Sequence, residues 1–213
     1  MSQFSLTLDL PAVFSTDNFY LSASNQAAFD AIMRWPQWEG HALYIHGPDG
    51  MGKSHLGHIW LERAHAARVP ASALVECPLE TGHVLVENVQ ELVNETALFH
   101  LFNHTREQGY TMLLTANCPA SDLPFSLPDL TSRLIAVPSV GLQPPDDELL
   151  AAALRKLFSD RQLKVEEDVI QYILPRIERT LASVQTLVAR LDSEALASKR
   201  SLTVPFVRKI LES

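Results

Sequence analysis

The feature that most constrains this chain is a glycine-containing segment, Gly47-Pro-Asp-Gly-Met-Gly-Lys-Ser54. The run before it, ALYIH from Ala42 to His46, is short and apolar, as a buried strand requires. The stretch after it, from about Lys53 to Ala67, reads as a helix. In this strand, loop and helix order, the pattern G-x4-G-K-[ST] predicts a phosphate-binding loop. An incidental glycine turn before a helix is the weaker alternative, because it does not require these flanking elements.

Each residue type in this loop has a mechanical role in the predicted phosphate site. Glycines allow the backbone N–H groups to curl around the phosphates, and the N-terminus of the following helix adds partial positive charge. Lys53 would neutralise phosphate charge, and Ser54 would ligate Mg²⁺. The predicted nucleotide-binding residues are Gly47, Pro48, Asp49, Gly50, Met51, Gly52, Lys53, Ser54 and His55.

Short apolar runs alternate with helical spacing along the first two thirds of the chain. Strand-length runs lie at 73–77, 83–86 and 110–115. Between the last two, apolar residues recur at helical intervals from Glu91 to Glu107, and Gly109 follows. Alternation of strands with helices predicts an α/β fold with a parallel sheet.

The segment from Pro138 to Pro145 contains three prolines and a glycine, which interrupt every periodicity. We therefore predict a linker there, between an α/β domain at 11–140 and a second domain at 141–213. Beyond the linker the pattern is purely helical, which predicts a small bundle. Its apolar stripes comprise Leu149, Leu150, Ala153, Leu154, Leu157 and Phe158, then Val169, Ile170, Ile173 and Leu174, then Leu181, Val184, Leu187, Val188 and Leu191, and finally Val207, Ile210 and Leu211.

Polar residues end two of the predicted strands. Glu87 follows Val84-Leu-Val, where a P-loop protein usually has an acid that holds Mg²⁺. The next residue, Asn88, stands where hydrolysing relatives have a second acid, and an amide cannot take up a proton. We therefore predict nucleotide binding with slow intrinsic hydrolysis, the alternative being that Glu87 is only a surface strand end. After the last strand, Asn117 is the predicted contact to the γ-phosphate or the attacking water, with Thr115 in reserve.

Composition limits the partners of the chain. Seventeen basic and 25 acidic residues give a formal charge of −8, which disfavours autonomous DNA binding. Cys77 and Cys118 are far apart, so they predict neither a disulfide framework nor a zinc site, and a reducing cytoplasm fits them. No apolar run approaches the ~18 residues of a membrane span. The N-terminus lacks the basic region of a secretory signal.

Four segments together resemble the DnaA/Hda family of AAA+ proteins. They are the loop GPDGMGKSHL at 47–56, LPDLTSRL at 127–134, FSTDNFY at 14–20 and LTVPF at 202–206. The resemblance covers nearly the whole chain. It implies an AAA+ P-loop core with a parallel five-stranded sheet, followed by a small α-helical lid domain.

The resemblance also implies roles for single residues. Arg133 of the SRL string would be an arginine finger, which reaches into the nucleotide site of a neighbouring subunit. Without the resemblance it reads as an ordinary helix arginine. Asn117 would be one sensor, and Arg179 resembles the sensor arginine of the lid. A gap-free count back from 202–206 instead places that sensor near Ala182, so either the register shifts locally or the sensor is lost. Phe19 and Tyr20 resemble the base-side segment.

The N-terminal segment at 1–10 resembles the Gln-x-x-Leu-x-Leu peptide by which Hda-type members of the family dock on the β sliding clamp of DNA polymerase III. Gln3 offers an amide, and Phe4, Leu6 and Leu8 are apolar anchors for a groove. The sequence ends at Ser213 without the DNA-binding domain of the initiators. We therefore expect an Hda-type member whose DNA contact is only indirect, through the clamp.

The resemblance implies a regulator that holds ADP or ATP with Mg²⁺ and stimulates hydrolysis of ATP on a DnaA initiator, which prevents re-initiation. ADP would be the working ligand, homo-oligomers are possible, and the location would be the cytoplasm beside the nucleoid. The rival is a self-sufficient AAA+ ATPase, such as a helicase loader, which needs an intact acidic pair. A P-loop kinase of small molecules has no use for the SRL string or the helical bundle.

Overall fold

The structure is a computed structural model that describes residues 19–76, 82–198 and 200–212. Five strands are present in these residues: β1 (Ala42–His46), β2 (Ala67–Pro70), β3 (Val84–Glu87), β4 (Met112–Ala116) and β5 (Ser139–Gly141). The helices are α1 (Gln26–Met33), α2 (Lys53–Ala64), α3 (Glu95–Glu107), α4 (Pro128–Ala136), α5 (Asp147–Asp160), α6 (Glu167–Ile173), α7 (Leu181–Ser198) and α8 (Val204–Leu211). The predicted clamp-binding residues Gln3, Phe4, Leu6 and Leu8 lie outside the described residues.

The strands form one parallel sheet in the order β2-β3-β4-β1-β5. Side chains of a strand alternate between the two faces, and each face has its own core. Leu43 and Ile45 of β1 pack with α1 and α2, whereas Tyr44 packs with α3 and α4. The helices α2 and α4 therefore lie on opposite faces of the sheet.

Two local predictions need correction. The strand predicted at 73–77 is wrong over its described residues. Residues Ala71–Ala73 form a 3₁₀ turn, and the strand in this part of the chain is β2, which lies earlier. His65 adopts a left-handed conformation (φ 48°), which ends α2 at Ala64, before the predicted Ala67. The backbone from Ala67 then pairs with β3. Pro70 is tolerated there because β2 is an edge strand.

The segment predicted as a linker contains the fifth strand. Residues Ser139–Gly141 pair with the end of β1, with Ser139 opposite Tyr44 and Gly141 opposite His46. Three residues between prolines are too short to show a period of two, so the strand exists through pairing. The remaining residues up to Asp146 connect the sheet to α5.

The C-terminal helices α5 to α8 form a bundle with its own hydrophobic core, as their apolar stripes predict. Asp146 caps α5, since its side chain accepts a hydrogen bond from the Leu149 N–H at 2.8 Å. The fully buried residues Leu150, Leu154, Val184 and Leu191 join α5 to α7. Within the described part of the chain, no helix is long and apolar enough to cross a membrane.

Candidate functional site

The glycine-containing loop lies where four elements meet at the carboxyl ends of the strands. It connects β1 to α2, and the Gly47 N–H donates to the carbonyl oxygen of Ala116 at the end of β4 (3.2 Å). Gly47 has φ +150°, and a Cβ there would lie 2.9 Å from the backbone oxygen of Leu142, just after β5. Gly52 caps α2 in a left-handed conformation (φ +94°). A side chain at either position would strain the backbone, and at Gly47 it would also clash with Leu142.

Lys53 reaches back into the loop at the start of α2. Its buried ammonium donates to the carbonyl oxygens of Gly47 (2.6 Å) and Pro48 (2.9 Å) and to Oδ1 of Asp49 (3.2 Å). The positive charge is thus held inside the turn of the loop. The first turn of α2 contains no acidic residue, so the partial positive charge of the helix N-terminus is not offset there. Ser54 is exposed in this first turn.

The C-terminal bundle contacts the loop directly at Gly50. The Leu181 N–H, at the start of α7, donates to the Gly50 carbonyl oxygen at 2.9 Å. Gly50 has φ +75°, and a Cβ added there would lie 3.0 Å from Cβ of Thr180 and 3.1 Å from Cβ of Ala182. The contact was not predicted from the sequence, although the gap-free count had pointed to Ala182.

Arg179 lies three residues before Ala182, and its described contacts are with the end of the connection between the two domains and the first residue of α5. Its Nε and Nη2 donate to the carbonyl oxygen of Pro145 (3.2 and 3.0 Å), and Nη1 donates to Asp147 (2.8 Å). The residues that pack over Gly50 are therefore Thr180 and Ala182 and not this arginine. A sensor role for Arg179 stays a prediction.

Glu87 ends β3 on the face that packs against α2. Its carboxylate is buried, and Oε2 accepts a hydrogen bond from Nε of Arg68, a half-exposed residue of β2. Oε1 lies 3.9 Å from the position that a Cβ on Gly57 would occupy. Gly57 follows Ser54 by three residues, so both lie on one side of α2. Ser54 and Glu87 therefore face the same side of α2, and their role as Mg²⁺ ligands stays a prediction.

Asn88 and the residues after β4 form the next part of this edge. Asn88 is left-handed (φ 56°), and its backbone N–H donates to Oγ1 of buried Thr115 at 3.4 Å. Asn117 is exposed, and its backbone N–H donates to Oε1 of Gln90 at 3.1 Å. Thr115 thus orients the backbone after Glu87, whereas Asn117 faces solvent beside it. Gln90 was not predicted as part of the site.

Phe19 lies beside the loop, and its role on the base side stays a prediction. Its ring stacks on Phe29 at 5.4 Å between centroids and meets the His55 ring edge-on at 5.1 Å. It also comes within 3.9 Å of the position of a Cβ on Gly52. Tyr20 is partly exposed, and its backbone oxygen accepts a hydrogen bond from Asn25 (2.8 Å). An apolar, aromatic wall therefore borders the loop.

Arg133 lies in α4, on the opposite face of the sheet from α2. Its guanidinium donates to Oδ1 of Asn103 and stacks over the ring of Phe99, 4.7 Å from the centroid. Both partners belong to α3. Within the described residues, no hydrogen bond joins Arg133 to the glycine loop. The arrangement holds the partly buried guanidinium against α3, on the face of the sheet opposite α2.

Comparison with known proteins finds matches to both parts of the chain. Residues 146–211 match the family model "Hda, lid domain". Domain III of the replication initiation protein DnaA from Thermotoga maritima has a TM-score of 0.83 at 18% identity, covering 95% of this chain and 97% of that chain.

Two further solved structures share the fold. AMPPCP-bound DnaA from Aquifex aeolicus has a TM-score of 0.70 at 17% identity, covering 87% of this chain and 69% of that one. The RuvB Holliday junction branch migration motor of Thermotoga maritima has a TM-score of 0.74 at 17% identity, covering 93% and 71%. The predicted AAA+ core with a five-stranded parallel sheet and a helical lid is confirmed.

Proposed function

We propose that this chain is an AAA+ protein of the DnaA/Hda family and a regulator that stimulates ATP hydrolysis on a DnaA initiator. It binds ADP or ATP with Mg²⁺ in its own loop, docks on the β sliding clamp and presents Arg133 to the partner's ATP. Conversion of the initiator to its ADP form would then prevent a second round of initiation. The proposal is tested by measuring hydrolysis of DnaA-bound ATP with and without an intact Arg133.

The single observation behind this proposal is the placement of Arg133. The helices α4 and α2 pack on opposite faces of the sheet, and we expect this guanidinium to meet a second protein rather than the nucleotide in the chain's own loop. Asn103 and Phe99 hold it in place, which lowers the entropy lost when it meets a phosphate. An arginine supplied in trans can raise the rate of phosphoryl transfer by orders of magnitude.

Nucleotide binding is supported by the geometry of the loop. Its glycines adopt the left-handed conformations of a tight phosphate-binding turn, and Lys53 provides charge inside it. Phe19 and His55 offer an aromatic wall for a base. The Aquifex aeolicus relative binds AMPPCP, an adenine nucleotide analogue, which favours an adenine nucleotide here.

Slow intrinsic hydrolysis distinguishes this proposal from a self-sufficient ATPase. Asn88→Asp is expected to raise the chain's own ATP turnover about tenfold or more, because a carboxylate can activate the attacking water. Both Asn and Asp tolerate the left-handed conformation of residue 88, so the exchange changes chemistry and not backbone. The measurement is ATP turnover of the purified chain without DnaA or clamp.

Ser121→Ala, at an exposed residue after β4, is the control for that assay and should leave turnover at the wild-type level. Brisk turnover by the wild type, unchanged in Asn88→Asp, would favour the self-sufficient ATPase and contradict the proposal. It would mean that the chain has another way to activate water.

Clamp docking is proposed from the sequence alone. Gln3→Ala is expected to reduce capture by immobilised β clamp about tenfold or more, since the amide that fixes the peptide's register in the groove is lost. Ser5→Ala, inside the same peptide but outside the Gln-x-x-Leu-x-Leu pattern, is the matched control. Equal capture of both variants and the wild type would remove the N-terminal peptide from the interface.

A further inference from the structure

The carboxylate that would hold Mg²⁺ already has a cation beside it. Glu87 and Arg68 form an ion pair in which the glutamate side chain is 5% exposed and the arginine side chain 51% exposed. Arg68 is opposite Leu85 in the register of β2 and β3. Side chains two residues apart share a face of a strand, so Arg68, Leu85 and Glu87 all lie on the α2 side.

Only one oxygen of Glu87 takes part in this pair. Oε1 is buried and has no hydrogen-bond partner among the described residues. An uncompensated buried carboxylate is costly, and Arg68 supplies the countercharge for Glu87 beside α2.

We infer that Arg68 takes over the electrostatic role of the divalent cation at Glu87, so that this chain binds ADP with little dependence on Mg²⁺. The inference rests on the proposed nucleotide binding and adds how that site is charged. In a site without such an arginine, a bare carboxylate repels the phosphates until Mg²⁺ bridges the two. Here the guanidinium lowers that repulsion in advance, and it competes with a metal ion for the same carboxylate.

Arg68→Ala should make ADP binding dependent on Mg²⁺. In EDTA, Glu87 of the variant is an unpaired negative charge near the phosphates. When Mg²⁺ is present, the same carboxylate is free to bind the metal ion. Coulomb repulsion between unit charges is strong where water is excluded. We expect the ADP dissociation constants of the wild type in EDTA and in Mg²⁺ to agree within about threefold, and those of Arg68→Ala to differ more than about tenfold.

The measurement is calorimetric titration of the full chain with ADP in Mg²⁺ and in EDTA, for the wild type and four variants. Arg68→Lys keeps a cation and should behave as the wild type. Arg68→Ala with Glu87→Gln removes both charges, so its Mg²⁺ dependence should vanish again. Arg63→Ala, an exposed arginine in the last turn of α2, controls for loss of surface charge. Electron paramagnetic resonance of Mn²⁺ in the ADP complex should show tighter metal binding in Arg68→Ala.

The possible failures are separable. If the wild type binds ADP in neither condition, nucleotide binding itself fails and the inference falls with it. If the wild type binds ADP with Mg²⁺ but loses more than about tenfold in EDTA, nucleotide binding stands and the role of Arg68 is overturned. This second result needs no variant, so it decides the matter even if Arg68→Ala does not fold.

Discussion

Arg133→Ala is expected to reduce the stimulated hydrolysis of DnaA-bound ATP by about 10³-fold or more, the usual contribution of an arginine finger. The variant removes the only group on α4 that can neutralise charge developing on the transferred phosphoryl. The described contacts of Arg133 are with α3 and not with the glycine loop, so the ADP affinity of the variant should not change. The measurement is the decay of radiolabelled ATP on DnaA with clamp-loaded DNA present.

Graded variants separate a finger from a merely structural arginine. Arg133→Lys keeps the charge but loses the planar fork that binds two phosphate oxygens, so most of the activity should still be lost. Asn103→Ala leaves Arg133 in place without its hydrogen-bond partner, and we expect an intermediate loss of about tenfold.

Arg106→Ala, an exposed arginine in the last turn of α3, is the matched control and should hydrolyse at the wild-type rate. Each variant should still bind the clamp as the wild type does, which excludes unfolding as the cause of a loss. Undiminished hydrolysis in Arg133→Ala would remove the finger from the mechanism.

The parts of the fold that the sequence predicts are those specified by local chemistry. The strand β1, the glycine loop and the start of α2 follow from a buried apolar run, obligatory glycines and a lysine within a dozen residues. The apolar stripes of the bundle specify α5 to α8 in the same way, because each repeats a helical period. These elements need no information from distant parts of the chain.

The strands at the two sheet edges were beyond sequence reasoning because pairing alone defines them. The strand β2 is mostly exposed and contains a proline, so neither its composition nor its period is that of a strand. The strand β5 is only three residues long. Each becomes a strand by hydrogen bonding to a neighbour that is distant in sequence.

The site, too, combines residues that local sequence predicts with contacts that only the fold creates. Lys53 and Glu87 could be predicted from motifs. The ion-pair partner of Glu87 could not, because Arg68 lies in β2, and the sequence predicts a strand at a different place. The contact between Gly50 and Ala182 joins residues from two domains. No periodicity or spacing reports such a contact, since only the packing of the lid on the loop creates it.

That packing makes Gly50 sensitive to an added side chain. Gly50→Ala is expected to lower the free energy of unfolding by about 2 to 4 kcal/mol, from left-handed strain and overpacking together. The new methyl group would meet Cβ of Thr180 at 3.0 Å and Cβ of Ala182 at 3.1 Å. Backbone at the start of α7 must move to relieve this contact, and that movement breaks the hydrogen bond from Leu181 to the Gly50 carbonyl.

ADP affinity should therefore fall about tenfold or more in Gly50→Ala, because the lid can no longer rest on the loop. Gly109→Ala is the matched control: Gly109 has φ +71°, and a Cβ there meets nothing within 4 Å. It should cost only the strain of a left-handed alanine, about 1 to 2 kcal/mol, with ADP affinity unchanged. Chemical denaturation and calorimetry measure both quantities.

If the two variants lose equal stability and both keep full ADP affinity, the lid does not depend on its contact with Gly50. If only Gly50→Ala loses ADP affinity, ADP binding depends on the contact that the lid makes with the loop through the backbone of Leu181 and the small side chain of Ala182. A charged sensor at that position would then be unnecessary, because the contact needs close approach and an arginine side chain would prevent it. The contact between lid and loop would then form only when the loop is correctly folded, and Arg133 would act on the partner's phosphate.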